Sequence, residues 1–227
     1  MIKRGDNVIV ARVLLLMEMV CVTVVTIWLI KLLHNSLNSR AAWFLAPFLL
    51  ISAAVVPTCL RKRSFAEIGL RVGRLGLTFW VLCATCVIVL PLFFAGILLL
   101  KYFEVPLPLC PVIPEKRWFS WSVYQFMYVA VAEEMFFRGY LQSNVLRLLA
   151  MFVQKKSGFL ELIGIITSAT VFAISHSVLL GSVMPIITFF PGLIFGWLFV
   201  KTKSLLAPVL FHGLANVCYG FIGAVLT

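Results

Sequence analysis

The sequence predicts an all-α, polytopic bundle of transmembrane helices, and three observations carry that expectation. Of 227 residues, 63% are hydrophobic and 12% charged, with a mean hydropathy of +1.10; soluble domains run at roughly 45–50% apolar and about 25% charged. Several apolar runs reach the roughly 20 residues that carry a helix across a hydrocarbon core about 30 Å thick. The runs are continuous rather than alternating, which selects helices over barrel strands, the two forms that satisfy every backbone polar group in lipid.

The apolar segments lie at about 8–33, 41–60, 77–100, 121–138, 159–180, 182–200 and 204–226, which gives about seven spans, with eight as the alternative. The first is too long for the apolar region of a signal peptide and contains Arg12 and Glu18, so it reads as a spanning helix. A basic loop at 61–74 closes an N-terminal trio of spans. Residues 101–117, with Pro106, Pro108, Pro111 and Pro114, mark a boundary between an N-terminal part, 1–117, and a second part, 118–227. Past residue 138 the fourth segment reads as an amphipathic continuation to Leu149 that leaves the core for the interface, because Gln142, Asn144 and Arg147 alternate with apolar positions.

Charge sets orientation and excludes one class of partner. With the N-terminus inside, 14 Lys and Arg fall on the inner side and 5 on the outer, which predicts a cytoplasmic N-terminus and an external C-terminus. The net charge of +11 is spread over short loops between apolar helices, so the expected partners are membrane lipids and not nucleic acid. The expected location is a bacterial plasma membrane. All six cysteines but Cys110 fall in or at the end of apolar segments, where thiols behave as small hydrophobes, so no disulfide framework is expected. The C-x-x-C of Cys83 and Cys86 has no nearby His or charge and reads as structural.

Ionisable groups inside spans are costly and by default mark function. The stretch Val-Ala-Glu-Glu-Met-Phe-Phe-Arg-Gly-Tyr puts Glu133 beside Glu134, with Arg138 one turn on. At i,i+4 Arg138 can pair with Glu134, while Glu133 points about 100° away. One carboxylate is thereby anchored and the other poised as a general base. A buried Glu/Arg packing pair would need only one Glu.

Three histidines occur: His34 in a loop, His176 and His212 in apolar segments. Phe172 precedes His176 by one turn, and Asn216 follows His212 by one turn on the same helix face. An imidazole and an amide on one face can donate to one oxyanion. Glu18 reads as a packing or snorkelling residue pairing with Arg12 or a neighbouring helix, and Phe136, Phe137, Phe189 and Phe190 as core or lipid-facing packing.

These residues resemble the CPBP group of type II CAAX prenyl endopeptidases and Abi-type bacterial relatives linked to bacteriocin processing and immunity. The pattern E-E-x-x-x-R, F-x-x-x-H, H-x-x-x-N or D is met by Glu133-Glu134 with Arg138, Phe172 with His176, and His212 with Asn216. The resemblance covers about 120–227, and Ser64-Phe-Ala-Glu-Ile-Gly-Leu-Arg71 looks like the loop that precedes the family's core. It implies an intramembrane endopeptidase acting on a membrane-anchored or lipidated protein or peptide. Glu133 would activate water with help from His176, His212 and Asn216 would form an oxyanion hole, and Glu134, Arg138 and Phe172 would support them. Two His and a Glu (Glu133, His176, His212) could instead ligate Zn²⁺, but the local H-E-x-x-H arrangement is absent and the cofactor-free mechanism is preferred. A noncatalytic immunity or scaffold protein of the same fold is the alternative. A transporter is disfavoured because the polar groups cluster in one half. Counting depth along straight helices sets Glu133 and His176 toward opposite faces, a conflict left to the structure.

Overall fold

The computed structural model describes residues 2–37, 39–104, 117–153 and 158–226, and every regular element among them is helical. The helices are α1 (Ile2–Ser36), α2 (Ser39–Leu60), α3 (Leu75–Tyr102), α4 (118–150), α5 (Gly158–Leu180), α6 (Phe189–Thr202) and α7 (Leu206–Leu226). Short 3₁₀ turns, Phe65–Ile68 and Met184–Thr188, precede α3 and α6. Among the described residues six stretches are long and apolar enough to cross a membrane: Val8–Ser36, Ala41–Leu60, Leu75–Tyr102, Gly158–Leu180, Met184–Thr202 and Leu206–Gly223. They coincide with six of the seven expected spans; the seventh is α4. His34 sits in the last turn of α1 rather than in a loop, its Nδ1 donating to the Ile30 carbonyl. Most of the proline-rich stretch, with Cys110, and Lys155 and Lys156 lie outside the described residues. The other five cysteines are free thiols.

Burial is inverted relative to a soluble protein. Most exposed positions on α1 and α3 are apolar, Val24, Trp28, Trp80, Val87 and Leu92 among them, whereas the fully buried set includes Glu134, Arg138 and Gln142. An apolar exterior this extensive has lipid as its solvent, and the chain is an integral multi-pass membrane protein.

α4 is one unbroken rod whose winding alternates. It is α-helical over Trp118–Tyr124, π over Gln125–Ala130, α over Val131–Glu134, π over Met135–Gln142 and α again over Ser143–Ala150. The glutamate pair thus occupies a single α turn between two π stretches, a winding that recurs at functional sites. Two tyrosines tie its first half to α2. Pro47 has no N–H to give to the Trp43 carbonyl, and Tyr124 Oη supplies the missing donor at 2.8 Å. Tyr128 Oη donates to the next carbonyl, Phe44.

The second half of α4 corrects the sequence expectation. The helix does run on to Ala150, but Gln142 and Asn144 are buried instead of facing the interface. Gln142 Nε2 donates to the Gly196 carbonyl at 3.1 Å, and Asn144 Oδ1 accepts from Arg63 and Arg147. Those partners belong to α6, the 61–74 loop and α4 itself. The loop is folded: Ser64 and Glu67 form a capping box on Phe65–Ile68, and Glu67 pairs with Arg147. Glu18 pairs with Arg61 and accepts from Tyr140, while Arg12 donates to the Met151 carbonyl and lies over the Phe152 ring. The basic end of the bundle is therefore knitted together.

This end also resolves the depth conflict. Glu133 stands 17 residues before Ala150 and His176 18 residues after Gly158, so the antiparallel hairpin of α4 and α5 brings them level. The turn between α6 and α7 is recessed, with Ser204 and Leu205 buried under the 61–74 loop. Leu205 N donates to the Gly69 carbonyl at 3.0 Å, and Ser204 Oγ donates to the Arg71 carbonyl at 2.6 Å. A recessed start lets His212, only six residues into α7, reach the same depth.

Docking of the loop on α4 requires Gly139, where a Cβ would come within 2.8 Å of the Ile68 carbonyl oxygen. Gly139→Ala is expected to lower stability by about 1–3 kcal/mol, the usual cost of overpacking, read as a drop in the thermal midpoint in detergent. An unchanged midpoint would show that the loop is not seated there.

Candidate active site

The centre of the bundle is organised by a buried ion pair. Glu134 and Arg138 are both 0% exposed, and Arg138 Nη1 donates to Glu134 Oε1 at 3.0 Å across one turn of α4. Nη2 donates to the Gly192 carbonyl on α6 at 3.1 Å. Gly192 leaves the room for this contact: a Cβ there would already press on Ala169 at 3.2 Å. The guanidinium lies 4.6 Å from the Phe172 ring centroid and 5.1 Å from that of Phe195, so aromatic faces supply part of the solvation that burial removes. Phe172, expected as a supporting residue, is 1% exposed and also contacts His176, 4.4 Å between centroids.

Both expected histidines converge on the expected glutamate. His212 Nδ1 lies 2.8 Å from Glu134 Oε1, and its ring stacks on Phe195 at 4.6 Å and 11°. His176 Nδ1 lies 2.9 Å from the Phe172 carbonyl. A carboxylate and a carbonyl can only accept, so Nδ1 carries a hydrogen in both rings, and in the neutral imidazole the free lone pair is then on Nε2. Those two Nε2 atoms stand 3.8 Å (His176) and 3.7 Å (His212) from Glu133 Oε2. Glu133 Oε2 is buried without a hydrogen-bond partner, and the three side chains differ in access: His176 is 26% exposed, Glu133 17% and His212 5%. Three acceptor sites thus face one another at a point reached past His176.

Asn216 follows His212 by one turn on α7. It is partly buried, and its Nδ2 donates to Gln125 Oε1 at 3.0 Å, in the first π stretch of α4. One amide hydrogen of Asn216 is thereby fixed and the second is available. His212, by contrast, spends its Nδ1 hydrogen on Glu134.

Two imidazoles and a carboxylate are donors that zinc accepts. Donors of a tetrahedral zinc at about 2.0–2.1 Å stand roughly 3.4 Å apart, tighter than these, and no three His, Cys, Asp or Glu among the described residues are arranged to hold a metal ion.

The sequence reading does not place Gln125, Gln142, Gly192 or Phe195 at the site, and it takes Gln142 for part of an interfacial face. Gln142 could have been placed there, since it follows Glu134 and Arg138 at four-residue spacing on one helix face, and Gln125 is an isolated amide in an apolar segment. Gly192 and Phe195 carry no such signal.

The two glutamates should separate in stability. Removing one partner of a buried pair leaves an uncompensated charge worth about 3–5 kcal/mol, so Arg138→Gln is expected to destabilise by that order, whereas Glu133→Gln, which breaks no bond in this structure, leaves the thermal midpoint within about 1 kcal/mol equivalent of wild type. Equal losses in the two variants would contradict the division of roles between the carboxylates.

Comparison with curated proteins and with solved structures gives no match. Residues 115–218 match the sequence model of the family described as "Type II CAAX prenyl endopeptidase Rce1-like". That stretch, just under half of the chain, holds all three motifs and every residue of the centre just described, and it is what this membrane protein shares with that family's model.

Proposed function

We propose that the chain hydrolyses a peptide bond of a membrane-anchored or lipidated protein or peptide, with water activated by Glu133 and no metal. The observation that carries this is the convergence of Glu133 Oε2 with the two Nε2 lone pairs of His176 and His212. Three acceptors meeting in a partly accessible, low-dielectric site call for a donor among them, and water is both that donor and the nucleophile of hydrolysis.

In this mechanism the substrate carbonyl enters past His176, the most exposed of the three. Water held by Glu133 and the imidazoles attacks the carbonyl carbon as Glu133 takes one of its protons. The C=O π bond breaks to give an oxyanion, which accepts from the free amide hydrogen of Asn216, held in place by Gln125. The tetrahedral species then collapses, the C–N bond breaks, and the proton on Glu133 passes to the departing amine. The products are one carboxylic acid and one amine, balanced by the single water consumed. His212 cannot donate from Nε2 while neutral. Should it take the proton in transit, Glu134 beside Nδ1 would stabilise the imidazolium and Nε2 would become a second donor to the oxyanion.

The proposed substrate class follows from access. The site lies inside an apolar bundle, so what reaches it is delivered from the bilayer; the expected substrate is a membrane-anchored segment, with a cytoplasmic N-terminus of the enzyme following from the basic end of the bundle.

The test is cleavage of a panel of membrane-anchored peptides by purified protein in detergent, comparing wild type with Glu133→Ala and His212→Ala, with and without a zinc chelator. Each substitution is expected to lower the rate by at least about 10²–10³, the scale on which general bases and oxyanion donors contribute, and the chelator to change nothing. Chelator inhibition reversed by Zn²⁺ would replace the water-only mechanism with a metal one. Cleavage that survives both substitutions would remove these residues from the mechanism, and no cleavage of any substrate would favour a scaffold or immunity role.

A further inference from the structure

Away from the glutamates, at the basic end of the bundle, an open pocket of about 410 Å³ is lined by four cations, Arg71, Arg74, Lys201 and Lys203, with Gly73, Leu77 and Thr202. Two of these cations are engaged. Arg71 Nε donates to the Lys203 carbonyl, and Lys203 Nζ pairs with Glu161 at 3.1 Å. Arg74 and Lys201 are exposed and have no carboxylate partner among the described residues. The pocket also takes in the start of α3, a 28-residue helix whose N-cap, Arg74, makes no side-chain cap bond, so the first N–H groups of that helix add to the positive potential.

Two independent features identify the ligand. Convergent guanidinium, ammonium and helix N–H groups select an oxyanion of high charge density, phosphate above all. Leu75, Leu77, Phe79 and Trp80, immediately beyond, are exposed apolar residues on a helix that buries only Thr78, Thr85 and Ile97, so the same pocket opens onto a lipid-facing surface. A free phosphate would have no use for that continuation; acyl chains would.

We propose that this pocket binds the phosphate of an anionic phospholipid, with the acyl chains lying along α3. One wall of the pocket is the α6–α7 turn, whose next residues Ser204 and Leu205 are bonded to Arg71 and Gly69. A bound lipid would therefore brace the segment from which the helix carrying His212 starts.

Binding is measured by native mass spectrometry of the full chain in neutral detergent, titrated with dioleoylphosphatidylglycerol, dioleoylphosphatidylcholine and glycerol 1-phosphate. Wild type is expected to retain phosphatidylglycerol in preference to phosphatidylcholine and to bind glycerol 1-phosphate far more weakly. Arg74→Gln with Lys201→Gln is expected to weaken phosphatidylglycerol binding by about 30-fold, two basic residues' worth of attraction. Lys62→Gln with Arg117→Gln, the same charge change at exposed sites outside the pocket, should leave it unchanged. Equal weakening in the control pair, or none in the pocket pair, overturns the proposal. Glycerol 1-phosphate binding as tightly as the lipid overturns the lipid and leaves a soluble phosphate ligand. If the glutamine pair unfolds, Arg74→Lys with Lys201→Arg keeps the charge and must bind as wild type does; a loss there overturns the proposal as well.

Discussion

The ion pair between Glu134 and Arg138 constrains nearly everything around it. Two charges with no solvent exposure carry a desolvation penalty of several kcal/mol each, which their mutual attraction repays only when the remaining hydrogen-bonding capacity is also used. Part of that capacity is used, by His212 against the carboxylate, by the Gly192 carbonyl against the guanidinium and by the rings of Phe172 and Phe195 over it, while Glu134 Oε2 and Arg138 Nε are buried without a hydrogen-bond partner. The contacts come from three helices, α5, α6 and α7, so satisfying the pair fixes how those helices stand against α4. An apolar substitute of equal volume would fold as well or better. What the pair adds is orientation, above all of the His212 ring, whose lone pair it turns toward Glu133.

Glu133 gains from the same arrangement without sharing it. Adjacent residues on a helix diverge by about 100°, so anchoring one carboxylate in the core turns its neighbour toward α5 and α7. There Glu133 meets two imidazoles whose hydrogens are already committed elsewhere. The π stretches on either side belong to this economy. A π stretch releases backbone carbonyls from regular i to i+4 pairing, and Ser143 Oγ donates to one of them, Arg138 O, at 3.2 Å.

Much of this was legible in the sequence because lipid makes ionisable residues conspicuous. Glu133, Glu134, Arg138, His176 and His212 stand out against apolar surroundings, and the six apolar crossings appear where composition puts them. What could not be read shares one physical cause. In water, an alternation of polar and apolar positions says which face is inside; in a bilayer the polar face can be the buried one. Gln142 and Asn144 therefore read as interfacial and are instead 0% and 2% exposed, Gln142 against α6 and Asn144 against a loop that lies outside any periodic pattern. Gly192 and Phe195 were silent because the site uses a carbonyl of one and the ring face of the other, neither of which sets a glycine or phenylalanine apart from ordinary packing.

The depth of the site follows from that same loop. His212 stands six residues into α7, so the place where α7 starts decides how close it comes to Glu133. Ser204 and Leu205 at that start are buried, and buried backbone groups need partners. The 61–74 segment answers with backbone and side-chain bonds to Leu205, Ser204 and Lys203, and its own capping box holds it in the shape that makes them. The loop that precedes the spans of the second half is thus a structural member of the site: by satisfying the recessed turn it sets the height of His212, and through His212 the geometry around Glu133.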